Sequence, residues 1–150
     1  MVAEKETTPN MPYDPTMVQP MREELTSIGV QELMTPADVD AFMADEAPTK
    51  MLIINSVCGC AAGSARPAVR LALQNENRPA LVGTVFAGQD VEATAQARSK
   101  FADFPPSSPS IALWKGGEIA FFLPRHRVEG RMPEDIAAEL REVFNEHCAG

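Results

Sequence analysis

Two cysteines separated by one glycine, Cys58-Gly59-Cys60, are the residues of this chain best suited to chemistry. The nucleophile in thiol–disulfide exchange is the thiolate, so a reactive cysteine needs a lowered pKa. The pair follows a short apolar run, residues 50–57, and precedes a stretch of helical spacing over residues 61–75. Unpaired amides at a helix start carry partial positive charge and favour an anion there. Arg66 and Arg70, in the first turns of that helix, are expected to add to this field. Gly59 supplies the backbone freedom that a one-residue bridge would demand. Such a bridge can reach a Cα separation of ~4.4–6.8 Å but strains the torsion, which makes it labile and suits exchange better than stapling. The chemistry that follows has Cys58 attacking a mixed disulfide on a client and Cys60 resolving the product.

Three other readings of the cysteines stand beside this one. The pair could be the switch of a non-enzymatic redox sensor or binding module, which would lack turnover and bind a partner differently when oxidised and reduced. The pair could be inert and buried, which the glycine and the strand-to-helix junction argue against. Three cysteines with His126 or His147 could also make a tetrahedral zinc set. A one-residue spacing is not a common zinc knuckle, and Cys148 is far away in the chain, so no metal is expected. Cys148 itself reads as a half-buried core thiol near the end of the last helix.

The elements that must position the dithiol can be placed in order. Residues 1–15 form an extended, proline-containing arm, and residues 16–150 form one domain. A first helix spans residues 21–28, between Pro20 and Gly29. A second begins at Thr35, with Thr35 as N-cap, Pro36 at N1 and Asp38 as the capping acid. Strands cover residues 50–57, 81–86, 110–114 and 118–123, the last two joined by the turn signal Lys115-Gly116-Gly117. Helices cover residues 61–75, 91–101 and 133–148. Pro67 either starts the regular part of the third helix or kinks it. Asp90 is expected to cap the helix after it. The first two strands have a helical crossover between them and should be parallel; the last two should be antiparallel. The fold class is therefore α/β, a central mixed four-stranded sheet flanked by helices, with an extra helical segment at the N-terminus.

Composition limits the partners. The 150 residues fit one domain. A net charge of −8 argues against general binding to nucleic acid or anionic membranes, though Arg66, Arg70, Arg125, Arg127 and Arg131 could still form a local basic patch. No apolar run approaches the ~20 residues of a membrane span, and the polar N-terminus lacks signal-peptide character. Three cysteines, an odd number, suit a reducing compartment, so a cytoplasmic location is expected. Met17, Met21, Leu25 and Ile28 could form a homodimer surface, although such a stripe is more often core. Arg125 and His126 follow the last strand and could flank the active face.

A second group of residues supports the first. Ser107-Ser108-Pro109-Ser110 precedes the third strand. This resembles the thioredoxin pattern, in which a cis proline opens that strand and lies against the dithiol. The residue before it pairs with the bound substrate chain. Ser108 and Pro109, with Gly59, are thus the expected substrate-binding residues.

Nearly the whole chain is similar to the bacilliredoxin family. The stretches that carry the resemblance are Met17-Val-Gln-Pro-Met-Arg-Glu-Glu-Leu25, Asn55-Ser-Val-Cys-Gly-Cys-Ala-Ala-Gly63, Ala65-Arg-Pro-Ala68, Thr84-Val-Phe-Ala-Gly-Gln-Asp90, Glu92-Ala-Thr94, Pro105-Pro-Ser-Ser-Pro-Ser110, Arg125-His126 and Glu129-Gly130. The resemblance implies a thioredoxin-like fold and action on S-thiolated client proteins. It implies that Cys58 takes bacillithiol, or a similar small thiol, from the client and that Cys60 resolves. Bacillithiol would be a co-substrate, with no resident cofactor. Weak disulfide isomerase activity is also implied.

Overall fold

The computed structural model describes residues 13–149. The arm expected over residues 1–15 lies mostly outside them. Asp14 and Pro15 are the N-cap and first residue of α1 (Pro15–Thr26). This helix starts before the expected position, residue 21. The Asp14 carboxylate caps it by accepting from the Thr16 amide at 2.9 Å, and Pro15 suits its first turn. Pro20 removes only one ladder bond, while Val18 and Leu25 bury one face. Leu25 and Ile28 of the suggested dimer stripe pack into the core, Met21 is half-buried, and Met17 stays exposed.

After α1 come β1 (Gln31–Glu32), α2 (Pro36–Ala44), β2 (Thr49–Asn55), a π-helical turn (Ala61–Ala65) and α3 (Arg66–Ala72). Then follow β3 (Leu81–Phe86), α4 (Val91–Ser99), β4 (Ser110–Lys115), β5 (Glu118–Leu123) and α5 (Pro133–His147). The sheet has five strands, ordered β1-β3-β2-β4-β5, rather than four. The additional strand, β1, has two residues, too short to show any alternation of polar and apolar side chains. It lies parallel to β3, with Gln31 opposite Gly83. As expected, β2 is parallel to β3, and β4 and β5 form an antiparallel hairpin. β4 also runs antiparallel to β2, Leu52 facing Ala112.

β2 is central, and all seven of its residues are buried. Its side chains alternate between two cores, as a strand buried on both faces requires. Met51 and Ile53 meet Leu25, Val69, Leu140 and Phe144, from α1, α3 and α5. Leu52 and Ile54 meet Val39, Phe42, Ala93 and Ala97, from α2 and α4. Gly83 lets α2 settle on the sheet, since a Cβ there would stand 2.8 Å from Phe42 Cε1.

The caps follow the local chemistry. Thr35 Oγ1 accepts from the Asp38 amide at 3.1 Å, and the Asp38 carboxylate accepts from the Met34 amide at 3.0 Å. Asp90 occupies the N-cap position of α4 without a side-chain capping bond. Its carboxylate instead takes both Nη atoms of Arg22, at 2.7 and 3.1 Å. Arg22 also pairs with Glu32 at 2.7 Å and lies 5.2 Å from the Phe86 ring centre. A buried guanidinium with two carboxylates outcompetes a single amide for that aspartate. No helix among the described residues is long and apolar enough to cross a membrane.

Candidate active site

The backbone leaves β2 at Asn55 and reaches Cys58 through Ser56 and Val57. This exit is pinned from behind by Arg66, only 1 % exposed. Arg66 Nη1 donates to Asn55 Oδ1 at 2.9 Å and to the Ser56 carbonyl at 2.7 Å, and its Nε donates to Glu24 at 3.0 Å. Asn55 Nδ2 in turn donates to the Met21 carbonyl at 3.3 Å. Arg70 donates to the Glu24 carbonyl. The expectation that Arg66 and Arg70 act on the thiols is not met: both are engaged with α1 and the loop. The cation acting on Cys58 is Arg125.

The two thiols, unbridged here, sit in unlike surroundings. Burial pushes the Cys58 thiol up, but four features outweigh it: the Ser56 hydroxyl, the amides of Ala61 and Cys60, and the Arg125 charge. Cys58 is therefore held below the ordinary thiol range. The Ser56 hydroxyl donates to Cys58 Sγ at 3.1 Å. Cys60 is pushed the other way, by burial, by the neighbouring Cys58 and by the Glu129 carboxylate 3.9 Å from its Sγ, with Arg125 opposing. Arg125 and Glu129 are themselves paired at 3.1 Å.

The turn after the dithiol is π-helical, and regular helix begins at Arg66 with Pro67 in its first turn. Proline has no amide for the carbonyl four residues back, so the α ladder cannot run through this point. Pro67 thus starts the regular helix. The Cys58 carbonyl accepts from the Ala61 and Ala62 amides, both at 3.1 Å. Gly59 is exposed, a Cβ there would meet nothing within 4 Å, and its φ is not left-handed. Its special freedom is therefore unused with the thiols unbridged.

Ser108-Pro109 is a cis peptide, as expected. The Ser108 carbonyl accepts from Arg125 Nη1 at 3.3 Å, and Ser107 Oγ accepts from the Arg125 amide at 3.2 Å. Ser108 and Cys58 line one cavity of about 310 Å³, with Tyr13, Ser56, Arg98 and Arg125 among its other walls. Gly59, Cys60 and Pro109 do not line it; Pro109 is buried. His126 is exposed and faces a neighbouring, more apolar cavity of about 520 Å³ with Phe104, Pro106, Phe122 and Pro124.

The basic patch suggested by the sequence does not form as a free surface. Arg127 and Arg131 share Glu139, Arg125 holds Glu129, and Arg66 holds Glu24. Cys148 lies beside Thr49 and Lys115, at the start of β2, whereas Cys58 follows that strand's end. The three cysteines do not converge. Among the described residues no three His, Cys, Asp or Glu side chains cluster as a metal site.

Sequence reasoning gave no role to Ser56, Arg98 or Glu129. The signal for Ser56 was available, a hydroxyl two positions before the nucleophile. Arg98 stands in an alanine-rich helix with nothing to mark it.

Known proteins are similar to this chain in sequence and in fold. The family model described as disulphide isomerase matches residues 13–148. A bacilliredoxin of Shouchella clausii is 54% identical over 136 residues, 91% of this chain and 94% of that protein. One of Salinibacter ruber is 51% identical over 140 residues, 92% of this chain and 82% of that protein. Oxidised thioredoxin from Plasmodium falciparum superposes with a TM-score of 0.55 at 14% identity, over 81% of this chain and 100% of that one. Fasciola hepatica thioredoxin gives 0.52 at 16% identity, over 79% and 99%. The two structures establish a thioredoxin-like fold, and the family model together with the two sequence relatives places the chain in the bacilliredoxin family.

Proposed function

We propose that this protein is a thiol–disulfide oxidoreductase that removes a small thiol from S-thiolated proteins. The observation that carries this reading is the asymmetry of the dithiol. A hydroxyl, two amides and a guanidinium converge on Cys58, while Cys60 faces a carboxylate. Cys58 is then the attacking thiolate and Cys60 the reserve thiol.

The steps balance as ordinary exchange. Cys58 thiolate attacks the small thiol's sulfur in the client's mixed disulfide. That S–S bond breaks, and the client cysteine leaves as a thiolate that takes up a proton. Cys60 then loses its proton, which Glu129, at 3.9 Å, is placed to accept. It attacks Cys58 Sγ and expels the small thiol. The chain ends with a Cys58–Cys60 disulfide, two electrons more oxidised, and a further thiol reductant must restore it. Ser108, next to the buried Pro109, supplies the surface against which the client backbone lies, and Gly59 accommodates the bridged form. Family membership makes bacillithiol the first candidate for the small thiol, and a reducing cytoplasm the fitting location. The family description also supports weak isomerase activity by the same pair.

The test is removal of bacillithiol from a capped model protein, followed by intact mass. Wild type should release the cap, Cys58→Ala should leave it in place, and Cys60→Ala should retain one bacillithiol on Cys58. A cap untouched by wild type overturns the bacillithiol reading.

A further inference from the structure

Arg98 is a cation for which the exchange steps have no task. It stands on α4, and its Nη2 donates to the Ser107 carbonyl at 3.2 Å. Its Nε is buried with no hydrogen-bond partner. Among the described residues it has no carboxylate within ion-pair distance. The two most buried arginines are treated differently: Arg22 has Glu32 and Asp90, and Arg66 has Glu24. Arg98 is only half-buried, but taking even part of a guanidinium out of water without an anion is costly, and folded proteins seldom leave a buried N–H such as its Nε unsatisfied without a reason. Burial pushes the Arg98 guanidinium down from its ordinary pKa, consistent with a charge lacking its counterion.

Arg98 also lines the cavity of about 310 Å³ that has Cys58 in its wall. Arg125 lines it too, from the segment after β5, and among the described residues no acidic one does. Tyr13 closes one side, held by Gln89, whose Oε1 accepts from the Tyr13 amide and whose Nε2 donates to the Tyr13 carbonyl, both at 3.2 Å. Two guanidinium groups, a polar wall and the reacting sulfur thus share one cavity of a size that suits a small-molecule ligand. Planar guanidinium groups bind carboxylates through paired, charge-assisted hydrogen bonds.

We propose that this cavity is a carboxylate-binding subsite for the small thiol, with Arg98 as its anchor. The proposal rests on the reading of Cys58 as the attacking thiol and deepens it. A mixed disulfide offers two sulfurs, and attack on either breaks the same bond. Anchoring the small thiol's carboxylate beside Cys58 presents that thiol's own sulfur. The new S–S bond then joins Cys58 to the small thiol, and the client cysteine departs as the thiolate. Arg98 is a specificity residue, deciding which caps are removed and which half of the disulfide stays on the enzyme.

The experiment uses one model protein capped with either mercaptoacetate or mercaptoethanol, which differ by a carboxylate in place of a hydroxymethyl group. Initial rates of cap removal are compared for the full wild-type chain, Arg98→Met and Arg98→Lys. Wild type should prefer the carboxylate cap by about tenfold, the size of one charge-assisted hydrogen bond, and that preference should shrink as salt is raised. In Arg98→Met it should collapse to about twofold or less, with part of it regained in Arg98→Lys, since lysine keeps the charge but not the fork. Equal wild-type rates on the two caps, or a preference that survives in Arg98→Met, would overturn the subsite while leaving the exchange reading intact. If neither cap is removed, the exchange reading falls and the subsite with it. Should Arg98→Met fail to fold for want of its bond to Ser107, the salt dependence of the wild-type preference decides, and a preference indifferent to salt rejects the proposal.

Discussion

The central strand has a cysteine near each end, and the two could hardly be treated more differently. Beyond its C-terminal end, Cys58 receives a hydroxyl, two amides and the field of Arg125. Beside its first residue, Cys148 has Thr49 and Lys115 for company, and burial still pushes its thiol above the ordinary range. Burial acts in the same direction at both ends. What separates them is the number of donors aimed at sulfur, and donors converge where a chain leaves a sheet to begin a helix. At the C-terminus of a helix the free backbone groups are carbonyls, which offer a thiolate nothing, and Thr49 and Lys115 alone do not outweigh the burial of Cys148.

The sharpest way to break this contrast is to remove each sulfur in turn. Cys58→Ala should lower exchange by at least about a hundredfold, while Cys148→Ala should stay within about twofold of wild type. The rate of cap release checks both, and a Cys148→Ala chain as inactive as Cys58→Ala would erase the distinction. A smaller effect is expected from Ser56→Ala, which deletes one donor to Cys58 Sγ. Loss of a hydrogen bond to the thiolate destabilises the charged form, so the Cys58 pKa must rise. Iodoacetamide labelling at neutral pH should slow by about three- to tenfold, and its pH midpoint should move upward. Smallest is Arg125→Gln. It removes a cation and so moves the Cys58 pKa in the same upward direction. The guanidinium is about half exposed, however, so labelling should slow by only about two- to threefold, and the difference should fade in high salt. An Arg125 effect larger than that of Ser56 would mean that long-range charge, rather than direct donation, sets the thiolate.

These pairs also show what a reader of residues can and cannot see. The apolar run into β2, the Thr35 cap and the Gly116-Gly117 turn, with φ of 61° and 88°, announce themselves through local chemistry. So does the dithiol at a strand-to-helix junction. The partner charges do so only in part: Arg125 after the last strand is legible as a flank of the active face, but not as the cation that acts on Cys58 in place of Arg66. Arg66 lies eight positions from Cys58 and Arg125 lies far along the chain, yet it is the distant one that acts on the thiol. Which way a helical side chain turns depends on the helix's roll, and here a π-turn shifts that roll just before Arg66. Asp90 misled for a similar reason: its capping role is local, but Arg22 reaches it from α1. The edge strand β1 is two residues held by β3, with no periodicity of its own to read.

The position of β2 in the sheet order has a consequence for how the protein comes into being. Its residue Leu52 pairs with Gly83 on one side and Ala112 on the other, both of which emerge from the ribosome later. Neither neighbour is local, so closing the sheet around β2 must wait for distant segments. Arg125, which helps hold Cys58 as a thiolate, follows the last strand of all. A nascent chain therefore displays the two cysteines before Arg125 can add its charge to the nearby donors from Ser56, Cys60 and Ala61. The last increment of thiolate character at Cys58 arrives only with the segment that follows the final hairpin.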